Sequence, residues 1–535
     1  MGKKVKWLVM IYLSGNNNLS EECVFALTEM RRVGSNQDVA VVAQLDSSVY
    51  RNQPLFIDKD ETPGSTKVAL DKAVILTKQK RSKAPKRKPA SYADEILQFV
   101  EESMNEYEAT HFMVVLSGHA GGPAYDFLRR TAGGRTDSLS MPELGRLIER
   151  INNLPQLAGS KIDILGLDSC LMSTAEVAYM VHKNVKVMIG SEGFEPMTGW
   201  PYKIVLEEVL RRGLRPDGGN DDEVKAMARR IVCGYIKYYT DYQAAAVSVD
   251  QAAFDLSQTV TLKRALRVFS DRLIVRLNNR DAEVRKALVL AHWEAQPYLT
   301  EQYVDLYDFC ERLRHYCPTQ YAEVHSACQN IMNVLRGSAA ERDPKLPGGQ
   351  HNPELADEKF RETKDAFVLQ SCYSGVTVQY SYGVSIYFPW AVDPAEPKRL
   401  ETYGRLYLAA DSNWGDFLIA YLRETKRGMR PGQGEPRCFD VQQTSGLFSA
   451  NVASANVRNS GNDRNSGNDR NSGNDRNLSN QIGSMRNPPT EFVECVCDAD
   501  APDAESPQQK TGPTKRRKNA PTSRRGRPIK YEKVR

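Results

Sequence analysis

Cys170 and His119 are the two residues of this chain whose types and spacing suit nucleophilic chemistry. Cys170 closes the segment Lys161-Ile-Asp-Ile-Leu-Gly-Leu-Asp-Ser-Cys170, an apolar run that stops abruptly at Asp168 and Ser169. About 50 residues upstream, His111-Phe-Met-Val-Val-Leu-Ser-Gly-His-Ala-Gly-Gly122 repeats the design, with a run ending in Ser117, Gly118 and His119. A cysteine nucleophile needs a base within hydrogen-bond reach, and imidazole supplies one. Either residue alone would be ordinary packing. The pair in matching contexts points to a thiol attacking a carbonyl.

The positioning elements follow from the pattern. A short apolar run closed by polar residues predicts a buried parallel strand. Two such strands side by side would bring His119 and Cys170 to one sheet edge, at the carboxyl ends where open α/β sheets hold their sites. Leu171–Val181 has helical spacing, which predicts a helix N-terminus near Cys170 and a thiol shifted toward thiolate. Strands are also predicted over Trp7–Leu13, Val39–Leu45 and Val185–Gly190. Helices are predicted over Leu19–Val33 with Ser20 as cap, over Tyr92–Tyr107 begun by Ser91, and over Met141–Asn152. Residues 49–76 read as a hairpin or insertion, and Tyr125–Ser140 as an exposed loop. The alternation implies a mainly parallel sheet with helices on both faces.

Beyond residue 213 the pattern is more helical: Asp221–Tyr239, Leu256–Leu277, Asp281–Ala291, Tyr303–Tyr316, Ala322–Leu335 and Tyr403–Glu424. Strands are expected at Ala244–Val249, Gly375–Gln379 and Val384–Phe388. The expected organisation is a catalytic core over 1–212, a mainly helical continuation over 213–428 and a disordered tail over 429–535.

Several of these segments, taken in order, resemble the clostripain-like cysteine peptidases. They are Trp7 to Asn16, Ser117-Gly-His-Ala-Gly121, Asp137 to Leu144, Asp168-Ser-Cys-Leu-Met172, Gly190-Ser-Glu192, Glu195 to Tyr202, and Gly383-Val-Ser-Ile-Tyr-Phe-Pro389. The resemblance implies the caspase-haemoglobinase fold, an α/β/α sandwich, and a Cys170–His119 dyad in a cysteine endopeptidase. It also implies backbone donors to the oxyanion at Ala120 or Gly121 and at Cys170. Asp168 would be an acid of the pocket for a basic side chain. Glu192 and Glu195 lie near enough in sequence to contribute, and Trp200 closes the same loop. The family usually reads Glu-Pro-Gly-Asp-Gly-Trp where this chain has Glu195-Pro-Met-Thr-Gly-Trp200, so uncharged Thr198 replaces one acid. Arg or Lys preference is expected to survive, weakened. Self-cleavage between the His and Cys segments is a further implication, with Arg130 and Arg135 as candidate sites and the basic Lys78–Lys88 loop as competitor. Calcium enters by resemblance alone; no other cofactor is implied.

Composition bounds the rest. The 535 residues exceed one ordinary domain, and a net charge of +5 makes the chain no polyelectrolyte. Ten cysteines without a CxxC pair suggest reduced thiols. Cys310, His315, Cys317 and Cys328 match no zinc spacing, so helix packing is expected. No stretch suits a membrane span, and the run at Trp7–Leu13 reads as a core strand rather than a signal peptide, which makes the cytoplasm the default. Residues 458–476 repeat Arg-Asn-Ser-Gly-Asn-Asp three times, a polar tract unable to offset its chain entropy. The end is basic, and Arg525-Gly-Arg-Pro528 resembles a minor-groove-binding hook. That leaves a second reading: a scaffold whose tail binds nucleic acid or a protein partner.

Overall fold

A computed structural model of the chain describes residues 2–47, 54–59, 74–75, 89–132, 135–157, 159–213, 220–242, 248–299, 301–337, 366–391 and 398–427. The Lys78–Lys88 loop, the repeat and the basic tail lie outside the described residues.

Nine strands form one sheet. In chain order they are β1 (Lys3–Ser14), β2 (Val39–Asp46), β3 (Pro54–Phe56), β4 (Val74–Ile75), β5 (Tyr107–Ser117), β8 (Ile162–Asp168), β9 (Val185–Gly190), β10 (Val249–Asp255) and β13 (Val368–Ser374). Their spatial order is β13-β10-β9-β8-β5-β1-β2-β3-β4. The five central strands, β9 to β2, pair in parallel. β10 and β13 continue the sheet antiparallel on one side, and β3 and β4 do so on the other. Between β5 and β8 lies the hairpin β6 (Phe127–Ala132) and β7 (Arg135–Leu139); β11 (Pro297–Tyr298), β12 (Tyr303–Asp305) and β14 (Ser385–Tyr387) make a small separate sheet.

Burial explains the choice of strand. β2 and β8 are buried along their whole length, which suits near-continuous apolar runs covered on both faces, and β10 is equally buried although it carries Asp250, Gln251 and Asp255. Right-handed crossovers then fix where helices go. The chain moves one way from β1 to β2 through helix Ser20–Val33. It moves the other way from β5 to β8 and β9 through helices Met141–Asn152 and Ala175–Val181. The helices therefore fall on opposite faces, and the direction reverses beside β1, where open sheets leave a crevice at the strand ends. The architecture is a caspase-like α/β sandwich.

Several local expectations are corrected. Tyr125–Ser140 is not an exposed loop: its larger part pairs as β6 and β7. Leu171–Thr174 is not helical. Leu171 has φ 61°, and the helix begins only at Ala175, capped by Thr174, whose hydroxyl accepts from Val177 N. Ser20 is the first helical residue rather than the cap, whereas Ser91 does cap its helix, accepting from Asp94 N. Gly375–Gln379 contains a 3-10 turn, Val376–Val378, and the strand there is β13 just before it. Of the strand expected over Ala244–Val249, residues 244–247 lie outside the described residues, and β10 starts at Val249. Tyr303–Asp305 is extended, and the helix follows at Leu306. The last helical stretch breaks into Arg399–Gly404, Tyr407–Asp411 and Trp414–Arg427. Cys310, Cys317 and Cys328 are buried with free thiols, and Cys310 pairs with Cys328 in the core between helices Leu306–Tyr316 and Ala322–Arg336.

Candidate active site

β5 and β8 run parallel in a register that sets Ser117 opposite Asp168, and Gly118 N–H donates to Asp168 O at 3.1 Å. His119 and Cys170 each lie two residues past these paired positions, at the carboxyl ends of adjacent strands. Gly118 is required there: a Cβ would sit 2.9 Å from the Ser14 Cβ of β1.

No hydrogen bond joins the two side chains, which each find another partner. The Cys170 sulfur accepts from Glu195 N–H at 3.3 Å and faces Glu195 O at 3.9 Å. The His119 ring meets Asn18 instead, Nε2 to Oδ1 at 2.6 Å. Burial under the Glu195 segment, with the adjacent carboxyl, pushes the thiol up to about 12. Burial and the Arg129 charge push His119 down, opposed by Glu22. The resting pair is thus neutral thiol and neutral imidazole. The expected thiolate at a helix N-terminus is overturned because the helix starts too late to help.

Beneath the thiol, Asp168 accepts from Trp200 N–H at 3.0 Å and from the Tyr202 hydroxyl at 2.7 Å. Gly199, at φ 65°, lets the loop close on it: a Cβ would lie 3.0 Å from each carboxylate oxygen. The Glu195 carboxyl is pushed well above its ordinary range, by burial and then by the Asp168 charge. It shares a hydrogen bond with Asp168, whose own carboxyl is pushed up by burial against the opposing effect of the bonds from Tyr202, Glu195, Ser117 and Trp200 N–H. Trp200 Nε1 donates to Glu195 Oε1 at 3.2 Å.

A family model described as the clostripain family matches residues 11–420. The chain belongs to the clostripain family. Clostripain from Hathewaya histolytica is 22% identical over 477 residues, covering 77% of this chain and 88% of its own. The structure of a secreted C11 cysteine protease from Bacteroides thetaiotaomicron, in complex with an irreversible peptide inhibitor, superposes with a TM-score of 0.50 at 14% identity. It covers 77% of this chain and 100% of that one. An inactive zymogen C11 protease from Parabacteroides distasonis gives 0.47 at 16% identity, over 77% and 99%. This clostripain-family chain is a cysteine peptidase, a hydrolase of protein or peptide substrates.

The remaining expected site residues divide. Trp200 joins Asp168 and Glu195, and the Thr198 hydroxyl bonds the Tyr239 hydroxyl at 2.8 Å. Glu192 turns away: it is fully buried, accepts from Gly383 N–H at 2.8 Å and shares a hydrogen bond with Asp305. It is no part of a substrate pocket here. Gly121 N–H is spent on Asp126 O at 3.2 Å, so it is not the free oxyanion donor expected. Among the described residues, Ala120 N–H and Cys170 N–H donate to no other residue. Arg130 is buried, bonded to Asp46 at 2.9 Å, to Glu95 at 2.7 Å and to Asp137 at 3.1 Å, with its guanidinium over the Tyr92 ring. It is therefore not the accessible cleavage site expected; Arg135 is exposed. Asn18, Tyr202 and Tyr303 were missed. Tyr303 OH donates to Gly121 O and accepts from Ala124 N–H, both at 3.1 Å, bracing the histidine loop from the distant β12. Among the described residues, no group of three or more His, Cys, Asp or Glu could hold a metal ion. Nor is any described helix long and apolar enough to cross a membrane.

Proposed function

We propose that the chain is an endopeptidase cutting after Arg or Lys, with Cys170 as nucleophile and His119 as base and then acid. The observation that carries this is the β5–β8 register, which puts the two residues at neighbouring strand ends. His119 takes the thiol proton as sulfur attacks the scissile carbonyl. The tetrahedral oxyanion is met by N–H groups of Cys170 and Ala120. On collapse the C–N bond breaks, His119 protonates the leaving amine and a thioester remains, which water hydrolyses with His119 again as base. The buried Asp168 carboxyl beside the nucleophile supports the Arg or Lys preference, since an incoming guanidinium favours its ionised form and pairs with it bidentately. A substrate must displace the Glu195–Trp200 segment to reach it. Self-cleavage at Arg135 and action in the cytoplasm belong to the same proposal; the exposure of Arg135 supports the first and the scattered cysteines the second.

Fluorogenic peptides with Arg, Lys or Ala at the cleaved position test it. Cys170→Ala and His119→Ala should each abolish turnover, and equal signals from wild type and Cys170→Ala would remove the nucleophile. The Arg-to-Ala ratio of kcat/KM should drop in Asp168→Asn and rise in Thr198→Asp. An unchanged ratio in Asp168→Asn moves the selecting charge elsewhere.

A further inference from the structure

The chain has three consecutive asparagines, Asn16 to Asn18, just past β1, and each does something different. Asn16 O accepts from Thr131 N–H at 2.8 Å. Asn17 Nδ2 donates to Ser14 O at 3.0 Å and Arg129 O at 2.9 Å, while its Oδ1 accepts from Leu19 N–H at 2.8 Å. These bonds tie the end of β1 to the strand that follows the histidine loop, and Arg129 N–H returns to His119 O at 3.4 Å. The third asparagine is thereby left facing the His119 ring.

We propose that Asn18 is a positioning residue of this peptidase: its amide oxygen holds His119 in the tautomer whose Nδ1 accepts the Cys170 proton. The proposal rests on His119 being the base. A carbonyl oxygen only accepts, so the 2.6 Å contact requires the proton on Nε2. That leaves the Nδ1 lone pair as the ring's only base. The same bond becomes charge-assisted once the ring is protonated, and so favours the imidazolium that forms as sulfur attacks. A third member thus comes from the loop after β1, beside the strand that carries His119, with Leu13 paired to Ser117. The other charges facing the ring are Arg129, which follows it on the hairpin, and Glu22 on helix Ser20–Val33; Cys170 is the remaining titratable neighbour in the site.

The test uses full-length Asn18→Ala and Asn18→Asp beside His119→Ala, with kcat, KM and the pH profile of kcat/KM on an Arg peptide. Asn18→Ala should lose about 10²-fold in kcat with KM little changed, the cost of a misaligned base. Asn18→Asp keeps an acceptor and should recover most of kcat. Its acidic limb should move to higher pH, because a carboxylate raises the pKa of the adjacent imidazole. A merely structural asparagine would not move that limb. If Asn18→Ala fails to fold, the limb of Asn18→Asp still decides, and an unmoved limb overturns the proposal. An inactive His119→Ala beside an Asn18→Ala with wild-type kcat overturns it alone; a fully active His119→Ala removes the dyad and this proposal together.

Discussion

Three buried carboxyls hold the nucleophile's loop in place without touching the reaction. Asp250 accepts from Glu192 N–H at 2.6 Å and Gly193 N–H at 2.9 Å, and Gly193 O in turn receives Leu171 N–H at 2.9 Å, the residue after the thiol. Glu192 and Asp305 share a proton, while Asp305 also accepts from Tyr382 N–H at 2.6 Å. Burial is the main cause of their shifts. It pushes Asp250 up to about 6, Asp305 to about 7 and Glu192 well above its ordinary range. The folded state therefore keeps protons that the unfolded chain releases near pH ~4. Stability from these groups is fully present below that unfolded value and is lost as pH rises through the folded values. Between pH ~4 and ~7 the Tm should fall as pH rises. Asp250→Asn, which carries no titrating proton, should flatten the decline. Scanning calorimetry across that window checks it, and a Tm that climbs with pH removes the assignment.

The hairpin β6–β7 is the element that most changes the picture of processing. Arg130 sits inside it among three carboxylates, so cutting there means first breaking a buried charge cluster. Removing one partner of such a cluster costs about 3–5 kcal/mol. Intact mass spectrometry of wild type and Cys170→Ala should show self-cleavage after Arg135 and none after Arg130; a product ending at Arg130 overturns this. The same hairpin marks what the sequence could tell. β1, β2, β5, β8 and β9 were legible because a strand covered on both faces must be apolar throughout. The hairpin's alternation was masked by Arg130, whose burial depends on Asp46 and Glu95, both distant in sequence. Leu171–Thr174 was read as helix because its apolar spacing continues that of Ala175–Val181. Yet Leu171 and Ser173 donate their N–H groups to Gly193 and Ser191, which no local pattern announces. His119, Cys170, Asp168 and Trp200 were legible as motif pieces. Asn18 was not, since it meets the ring across 101 residues of separation.

The two regions of the chain share one sheet and one site. β10 and β13 pair onto β9, next to the nucleophile's strand. Ser173 Oγ donates to Gly383 O at 2.9 Å, and Ser173 O accepts from Ser385 N–H at 3.0 Å. Glu176 receives Tyr387 N–H at 2.9 Å and the Tyr403 hydroxyl at 2.6 Å. Tyr303 braces the loop on the other side. Residues 303–403 thus clamp both strand ends from far downstream. During biosynthesis this has a protective effect. The ribosome delivers His119 and Cys170 long before the clamp, and at about 5–20 residues per second the lag is about 10–50 s. Over that interval the growing polypeptide carries every reactive atom and lacks the scaffold that aligns them, so a half-made protease cannot attack the machinery making it. Stalled chains ending near residue 300 should therefore resist labelling by an Arg-bearing peptidyl electrophile that modifies the finished enzyme. Equal labelling of both would mean that the first half assembles its site unaided.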